Sequence, residues 1–311
     1  MADQVIAGTS SATGAARRSK GKFWSSENPW FWLTPAIIFL SVYSIFPLIY
    51  NIVLSLHEFK PRTKIFEFVG IQNWAELFTQ DVRFGNAIGI TIQYVVVAML
   101  IQITLGMIIA LLLDAKPWGA TIMQALIILP MVTAPTVAGM LFRLLTHPNF
   151  GFISYILYGL GLVTPDEPLI GGTGRFALIG VLTVEIWQWT PFFVLIILAG
   201  LKGLPQEVLE AAEVDGANWW QRLTRVKIPM LRGVLTVAIL FRLVDLYKVF
   251  DYVVILTAGG PGNRTETVSF YGYANTFLQV NWGYGAAIGL FMMVVVWLSA
   301  FAYIKLFRVR W

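Results

Sequence analysis

The sequence predicts an all-α, polytopic membrane protein with six transmembrane helices and one charged two-helix loop on the cytoplasmic side. Three observations carry that expectation. The 311 residues are 57% hydrophobic and only 13% charged, with 22 Phe and 12 Trp, too apolar for an ordinary water-soluble domain. Uncharged runs cover 29–56, 85–113, 117–142 and 267–304, each longer than the roughly 20 residues a spanning helix needs. Two further apolar stretches, 175–201 and 231–257, carry internal charges. Runs of this length exclude the roughly ten-residue alternating strands of a membrane β-barrel.

Taken in order, residues 1–29 are polar, rich in small side chains and basic at Arg17, Arg18, Lys20 and Lys22, and read as a disordered cytoplasmic tail. The apolar stretch after them is too long for a signal peptide, holds Pro35 and Pro47, and has no small-residue cleavage site at its end. An uncleaved first helix is therefore expected over 30–56. The loop 55–85 has the length of a small folded excursion. Helices over 86–113 and 118–145 follow, then an irregular segment 146–174 punctuated by Pro148, Pro165, Pro168 and Gly171-Gly172. A fourth helix over 175–201, a loop over 202–230, a fifth helix over 231–257 and a sixth over 283–307 complete a transmembrane domain of 30–307. The last residues, 308–311, form a cytoplasmic end, and everything after residue 85 reads as one bundle of five helices.

Charge sets the orientation. With the N-terminus inside, thirteen Lys and Arg fall on the cytoplasmic side and five on the other. That bias places both termini in the cytoplasm and the loops 55–85, 146–174 and 258–283 outside. The net charge of +5 is then explained by cations flanking membrane helices, and no basic-aromatic nucleic-acid module is visible. Without Cys there are no disulfides, thiolate metal sites or catalytic thiols. The two His residues, His57 and His147, lie at expected outer helix ends and lack the spacing of a metal pair. Gly21-Lys22-Phe23 has neither the Gly-rich approach nor the Ser/Thr of a phosphate-binding loop, so ATP hydrolysis by that route is excluded. No nucleophile–base pair stands out. The expectation is no catalytic residue, no metal and no cofactor bound by this chain.

The loop 202–230 is the most legible segment. Pro205 suits a first helical position, Gly216 a left-handed helix end, Asn218 the cap of a second helix, and Pro229 the start of the next apolar segment. Glu207, Glu210, Glu213 and Asp215 make its first helix strongly acidic, and Arg222, Arg225 and Lys227 follow on the second. Acids are unfavourable against the negative cytoplasmic leaflet. A protein partner with a basic-rimmed cleft fits better than lipid, with Val208, Ala211 and Ala212 on one slim face at i, i+3, i+4.

Charges inside the predicted spans form the other informative set. Glu185 lies in the fourth, and Arg242, Asp245, Lys248 and Asp251 recur every three residues in the fifth. At mid-bilayer a charge costs roughly 2.5–3.5 kcal/mol on insertion scales, so such residues face the bundle interior. Two readings stand: i, i+3 ion pairs that neutralise each other, or groups on a solute path. The run Glu185-Ile186-Trp187-Gln188-Trp189-Thr190-Pro191 combines aromatic faces with amide and acid, the chemistry that holds a polyol, and also fits a helix-packing belt with a Pro kink. The candidate path comprises Glu185, Gln188, Trp189, Phe192, Arg242 and Asp245.

Several motifs together carry a resemblance. Glu210-Ala211-Ala212, then Gly216, then Val226, Ile228 and Pro229 match in register the E-A-A loop of the membrane subunits of ATP-driven importers, with Val226 and Ile228 replacing Ile and Leu. Thr34-Pro35-Ala36, Phe46-Pro47, Ile128-Leu129-Pro130, Pro135 and the stretch Gly70 to Trp74 also fit. Leu256-Thr257-Ala258-Gly259-Gly260-Pro261 resembles the L-T-x-G-G-P of carbohydrate-type permeases. The chain is thus similar, from about 30 to 307, to the permease subunits of maltose- or trehalose-type binding-protein-dependent importers of the bacterial inner membrane. That resemblance implies the type I ABC importer permease fold. It also implies a second permease subunit, two ATP-binding-cassette subunits that use ATP and Mg, and an extracytoplasmic solute-binding protein. The coupling residues it implies are Glu210, Ala211, Ala212, Asp215, Gly216, Arg222 and Pro229. An importer for amino acids or phosphate, or a secondary transporter, is the alternative; the latter calls for two matching halves with broken helices, and no such duplication is visible.

Overall fold

A computed structural model describes residues 29–62, 64–170 and 174–307; all of the tail expected over 1–29 except Pro29, which begins a helix, the pair Gly171-Gly172 and the end 308–311 lie outside the described residues. The chain divides into two units, 1–50 and 51–311. The first holds α1 (Pro29–Leu40), a π-helical turn, Ser41–Ile45, and the start of α2 (Phe46–Ser55), whose last residues belong to the second. The wider turn falls just before Pro47, whose ring has no N–H to give and crowds the carbonyl four residues back. The helical stretch Pro29–Ser55 is long and apolar enough to cross a bilayer.

The second unit opens with the excursion expected over 55–85, an antiparallel hairpin of β1 (His57–Lys60) and β2 (Ile65–Phe68) followed by α3 (Gln72–Thr79). His57 pairs with Phe68 and Lys60 with Ile65. Buried Asn73 ties α3 to the hairpin, donating to the carbonyls of Ser55 at 2.9 Å and His57 at 3.0 Å. That clamp gives the Gly70-to-Trp74 motif its structural reason.

The main helices are α4 (Val82–Asp114), α5 (Ala120–Val132), α6 (Pro135–Leu145), the short α7 (Phe152–Gly159), and α8 (Ala177–Lys202). Then come α9 (Gln206–Val214), α10 (Trp219–Gln221), α11 (Ile228–Leu246), α12 (Asp251–Leu256), α13 (Val268–Tyr273) and α14 (Trp282–Phe307). Helix α4 lies along α8, and Gly106 permits the approach: a Cβ there would sit 2.4 Å from Cβ of Phe193. In lipid, such small residues stand where a hydrophobic driving force is missing. Around this seam Tyr94, Val184, Phe193, Ile197, Leu231, Leu246 and Val253 form one core.

Two expected helices are broken. The third, expected unbroken over 118–145, is α5 and α6 bent by 98°. Proline at 135 disfavours helical backbone at Ala134, and Thr133 and Ala134 are both extended. The fifth, expected over 231–257, stops at Leu246 and resumes at Asp251. Carbonyls freed by that break are satisfied by hydroxyls: Ser269 donates to Tyr247 at 3.0 Å and Thr267 to Val249 at 3.2 Å. Among the described residues four helical stretches are long and apolar enough to span a membrane, and a fifth if α5 and α6 count as one. Helix α11, carrying Arg232, Arg242 and Asp245, does not qualify, so the fold is all-α and multi-pass without six uniform spans.

On the face expected outside, Arg83 grips fully buried Glu266 through two hydrogen bonds of 2.7 Å. Asp81 caps α4 at Phe84 N and accepts from the hydroxyls of Tyr271 and Tyr284. Burial alone would raise its pKa; those hydrogen bonds prevail and hold it below the ordinary carboxylate value. The Leu256–Pro261 motif folds as a tight loop, with Thr265 donating to the Thr257 hydroxyl at 2.7 Å or the Gly260 carbonyl at 3.0 Å.

Candidate functional site: a buried charge network beside an aromatic cleft, and a coupling loop

All six residues of the predicted path come together on α8 and α11, yet they divide into two kinds. Glu185, Gln188 and Arg242 are 3%, 1% and 3% exposed, so they belong to the interior. The Arg242 guanidinium bonds Glu185 across the helix interface and Asp245 along its own helix, and its Nε donates to Gln102 Oε1 at 3.1 Å. Glu185 also accepts from the Tyr94 hydroxyl at 2.7 Å and from Gln102 Nε2 at 3.1 Å. Gln188 donates to the Thr133 carbonyl at 2.6 Å, the acceptor released where α5 breaks, and accepts from Tyr252 at 2.7 Å. Helices α4, α11 and α12 and the break between α5 and α6 are thereby stitched to α8 through polar groups that would be costly if unpaired.

Trp189, Phe192 and Asp245 lie on the other side. With Leu240, Phe241, Val244 and Lys248, and one face of Arg242, they line an open cleft of about 590 Å³. The Trp189 ring stacks on Arg242, 4.4 Å from guanidinium carbon to ring centroid, and its indole N–H donates to Tyr252 at 3.3 Å. The cleft therefore offers aromatic faces, a half-exposed carboxylate at Asp245 and an ammonium at Lys248. The Arg242–Asp245 ion pair expected from i, i+3 spacing is present. The Lys248–Asp251 pair is not, because Lys248 lies in the break between α11 and α12 rather than on one helix with Asp251. Sequence reasoning missed Tyr94, Gln102, Tyr252 and Thr133. Gln102, an amide within an uncharged run, was the available signal.

The loop after α8 is built much as its punctuation predicts. Pro205 is the N-cap of α9, one position earlier than expected, and Gly216 has φ of +78°. Asn218 and Gln221 form a reciprocal capping box, with both hydrogen bonds at 2.9 Å. The expected second helix is not separate. From α10 it runs through a π-helical segment, Arg222–Lys227, straight into α11, and the wide turn accommodates Pro229. Arg222 pairs with Glu213 at 2.9 Å, and Lys227 with Asp114 at the end of α4 at 3.0 Å. A hollow of about 350 Å³ between the two arms is lined by Leu209, Glu210, Glu213, Arg222 and Lys227 among others. Glu210, Ala211, Asp215 and Pro229 are exposed, and Ala212 is half-buried, so the slim face predicted at Val208, Ala211 and Ala212 is only partly free.

Among the described residues no group of His, Cys, Asp or Glu is arranged to hold a metal. What the fold and these two regions define is a membrane transport subunit: a lined cleft between helices, and a loop anchored to their ends. The model for the inner membrane component of binding-protein-dependent transport systems matches residues 102–310, and the chain belongs to that family. It is a multi-pass inner-membrane permease subunit. Relatives include the probable ABC transporter permease protein y4oQ of Sinorhizobium fredii, 35% identical over 283 residues, 90% of this chain and 89% of that one. The trehalose/maltose transport system permease protein MalF of Thermococcus litoralis is 29% identical over 292 residues, covering 94% and 97%. The trehalose transport system permease protein SugA of Mycobacterium tuberculosis is 30% identical over 298 residues, covering 95% and 94%. Among solved structures, a bacterial ABC transporter that imports the acidic polysaccharide alginate superposes with a TM-score of 0.76 at 21% identity, over 89% of this chain and 93% of that one. At that identity the likeness establishes the fold.

Proposed function

We propose that this chain is one of two permease subunits in an ATP-driven importer that moves a sugar, polyol or related glycoside across the inner membrane by alternating access. An extracytoplasmic solute-binding protein delivers the solute, and two ATP-binding-cassette subunits dock on the coupling loop. The observation that carries the solute class is the cleft between α8 and α11, where Trp189 and Phe192 offer faces for C–H surfaces and Asp245 and Lys248 offer partners for hydroxyls. Trehalose and maltose in the names of two relatives support the same class. Glu185 and Gln188 act from behind the cleft wall, holding Arg242 and Tyr252 in place.

Both termini lie in the cytoplasm in this reading, which puts the loop 202–230 beside the ATPase subunits. Glu210, Ala211, Ala212, Asp215, Gly216, Arg222 and Pro229 form the docking and lever region. Because α10 continues into α11, a push on the loop reaches the helix that carries Arg242 without an intervening hinge. ATP and Mg belong to the partner subunits, and this chain binds no cofactor. Its contribution is differential affinity for solute in two states. The test is uptake by the complete assembly in proteoliposomes with its binding protein. Trp189→Ala and Phe192→Ala should impair uptake while ATP hydrolysis still responds to binding protein; unchanged uptake in both would remove the cleft from the solute path.

A further inference from the structure

A separate groove lies where the start of α11 meets the end of α14. Its volume is about 320 Å³ and its walls include Arg232, Leu235, Thr236, Ile239, Tyr303 and Phe307. The two helices are also tied together by Tyr247 and Ser299, 3.1 Å apart. Arg232 lies one turn after the start of α11, and Tyr303 one turn before the end of α14. Since α14 is long and apolar enough to span, its last turn sits at the depth of lipid headgroups. Leu235 and Ile239 lie one and two turns deeper, towards the hydrocarbon.

One charged group in this groove is unspent. The Tyr303 hydroxyl is buried in the wall beside the Thr236 hydroxyl. Thr236, on the same wall, already donates to the Arg232 carbonyl at 2.7 Å. Arg232 itself is exposed and joins none of the ion pairs among the described residues. Lys305 adds a second cation in the last turn of α14, and the sequence continues with Arg308 and Arg310, outside the described residues.

We propose that this groove binds an anionic phospholipid, with the phosphate against exposed Arg232 and an acyl chain along Leu235, Ile239 and Phe307. A guanidinium with no carboxylate partner is complementary to phosphate oxygens. Basic pockets between membrane helices take anionic headgroups in this way, whereas a choline ammonium would be repelled by the same cations. Pro229, at the groove's lip, ends the coupling motif, so bound lipid would brace the joint between loop and membrane. The site requires only that the chain spans a bilayer, and its test reads lipid rather than transport.

The complete assembly, delipidated in mild detergent, is titrated with phosphatidylglycerol or phosphatidylcholine, and bound lipid is counted by native mass spectrometry. Wild type should prefer phosphatidylglycerol. Arg232→Gln should weaken that lipid about fivefold and leave phosphatidylcholine unchanged, as expected for one basic side chain near the surface. Arg232→Lys should bind as wild type, which separates lost charge from lost fold. Equal binding of both lipids by wild type, or an unchanged phosphatidylglycerol affinity in Arg232→Gln, would overturn the proposal. A photo-crosslinking residue at Leu235 should capture lipid; capture of the second permease subunit or of this chain's own first helix would overturn it equally.

Discussion

Around Arg242 the charged side chains of the interior are partnered within and across helices, and the cleft is reached by Asp245, Lys248 and one face of Arg242. Around Gly216 most of the acids are exposed, with Arg222 paired to Glu213 and a more buried Lys227 paired to Asp114 of α4. Caps and a left-handed turn, not burial, fix the loop's shape. The first region behaves as a structural lock whose members cannot be removed singly. The second presents an acidic and apolar surface on which Val214, Trp219 and Trp220 are all exposed, which suits contact with another protein. Stability and coupling should therefore separate by region.

The largest effect is expected from Glu185→Ala. It takes one of two carboxylates from a buried guanidinium, and breaking a buried pair this way costs up to about 3–5 kcal/mol, so the thermal midpoint of the purified assembly should fall sharply. Replacing Glu185 and Arg242 together by Leu should recover a good part of that loss; a double variant as unstable as the sum of the singles would deny that the two act as a pair. Next comes Gly216→Val. Open space surrounds that position, so the penalty is backbone strain alone, about 1–2 kcal/mol, and it should appear as impaired coupling with normal membrane abundance. Asn218→Ala removes one half of the capping box for about 1 kcal/mol, read as faster hydrogen exchange over 219–222. The smallest effect belongs to the exposed Arg222–Glu213 pair, where Glu213→Gln should change stability by under about 1 kcal/mol. A larger loss there would mean the loop is locked as firmly as the core.

How far each region could be read from sequence follows the same division. Local chemistry was legible: Gly216, Asn218 and Pro229 act within a few residues of themselves, and their roles in the loop follow from backbone rules. The apolar helices at 29–55, 82–114 and 282–307 were legible because each holds an uncharged run longer than a bilayer is thick, which admits few alternatives, and 177–202 was legible from its length and apolar character despite Glu185. The breaks were harder. Pro135 was visible, but a Pro in a membrane span can kink or end a helix, and only the Gln188 amide held against the freed Thr133 carbonyl favours the 98° bend. The regular spacing from Arg242 to Asp251 read as one helical face, whereas hydroxyls from Thr267 and Ser269, some twenty residues on, stabilise the interruption. Glu185 and Arg242 were both singled out, yet their pairing depends on how α8 meets α11, which periodicity does not encode.

The most direct test of the coupling claim measures solute uptake and ATP hydrolysis together, in the same proteoliposomes, for the complete assembly carrying Glu210→Lys. Glu210 is exposed and lines the hollow of the loop, far in sequence from the Arg242 lock. The account predicts normal insertion and an unshifted thermal midpoint, with uptake per ATP hydrolysed, or retention of the ATPase subunits, falling about tenfold, the equivalent of ~1.4 kcal/mol. Wild-type uptake per ATP with wild-type retention of the ATPase subunits would contradict it.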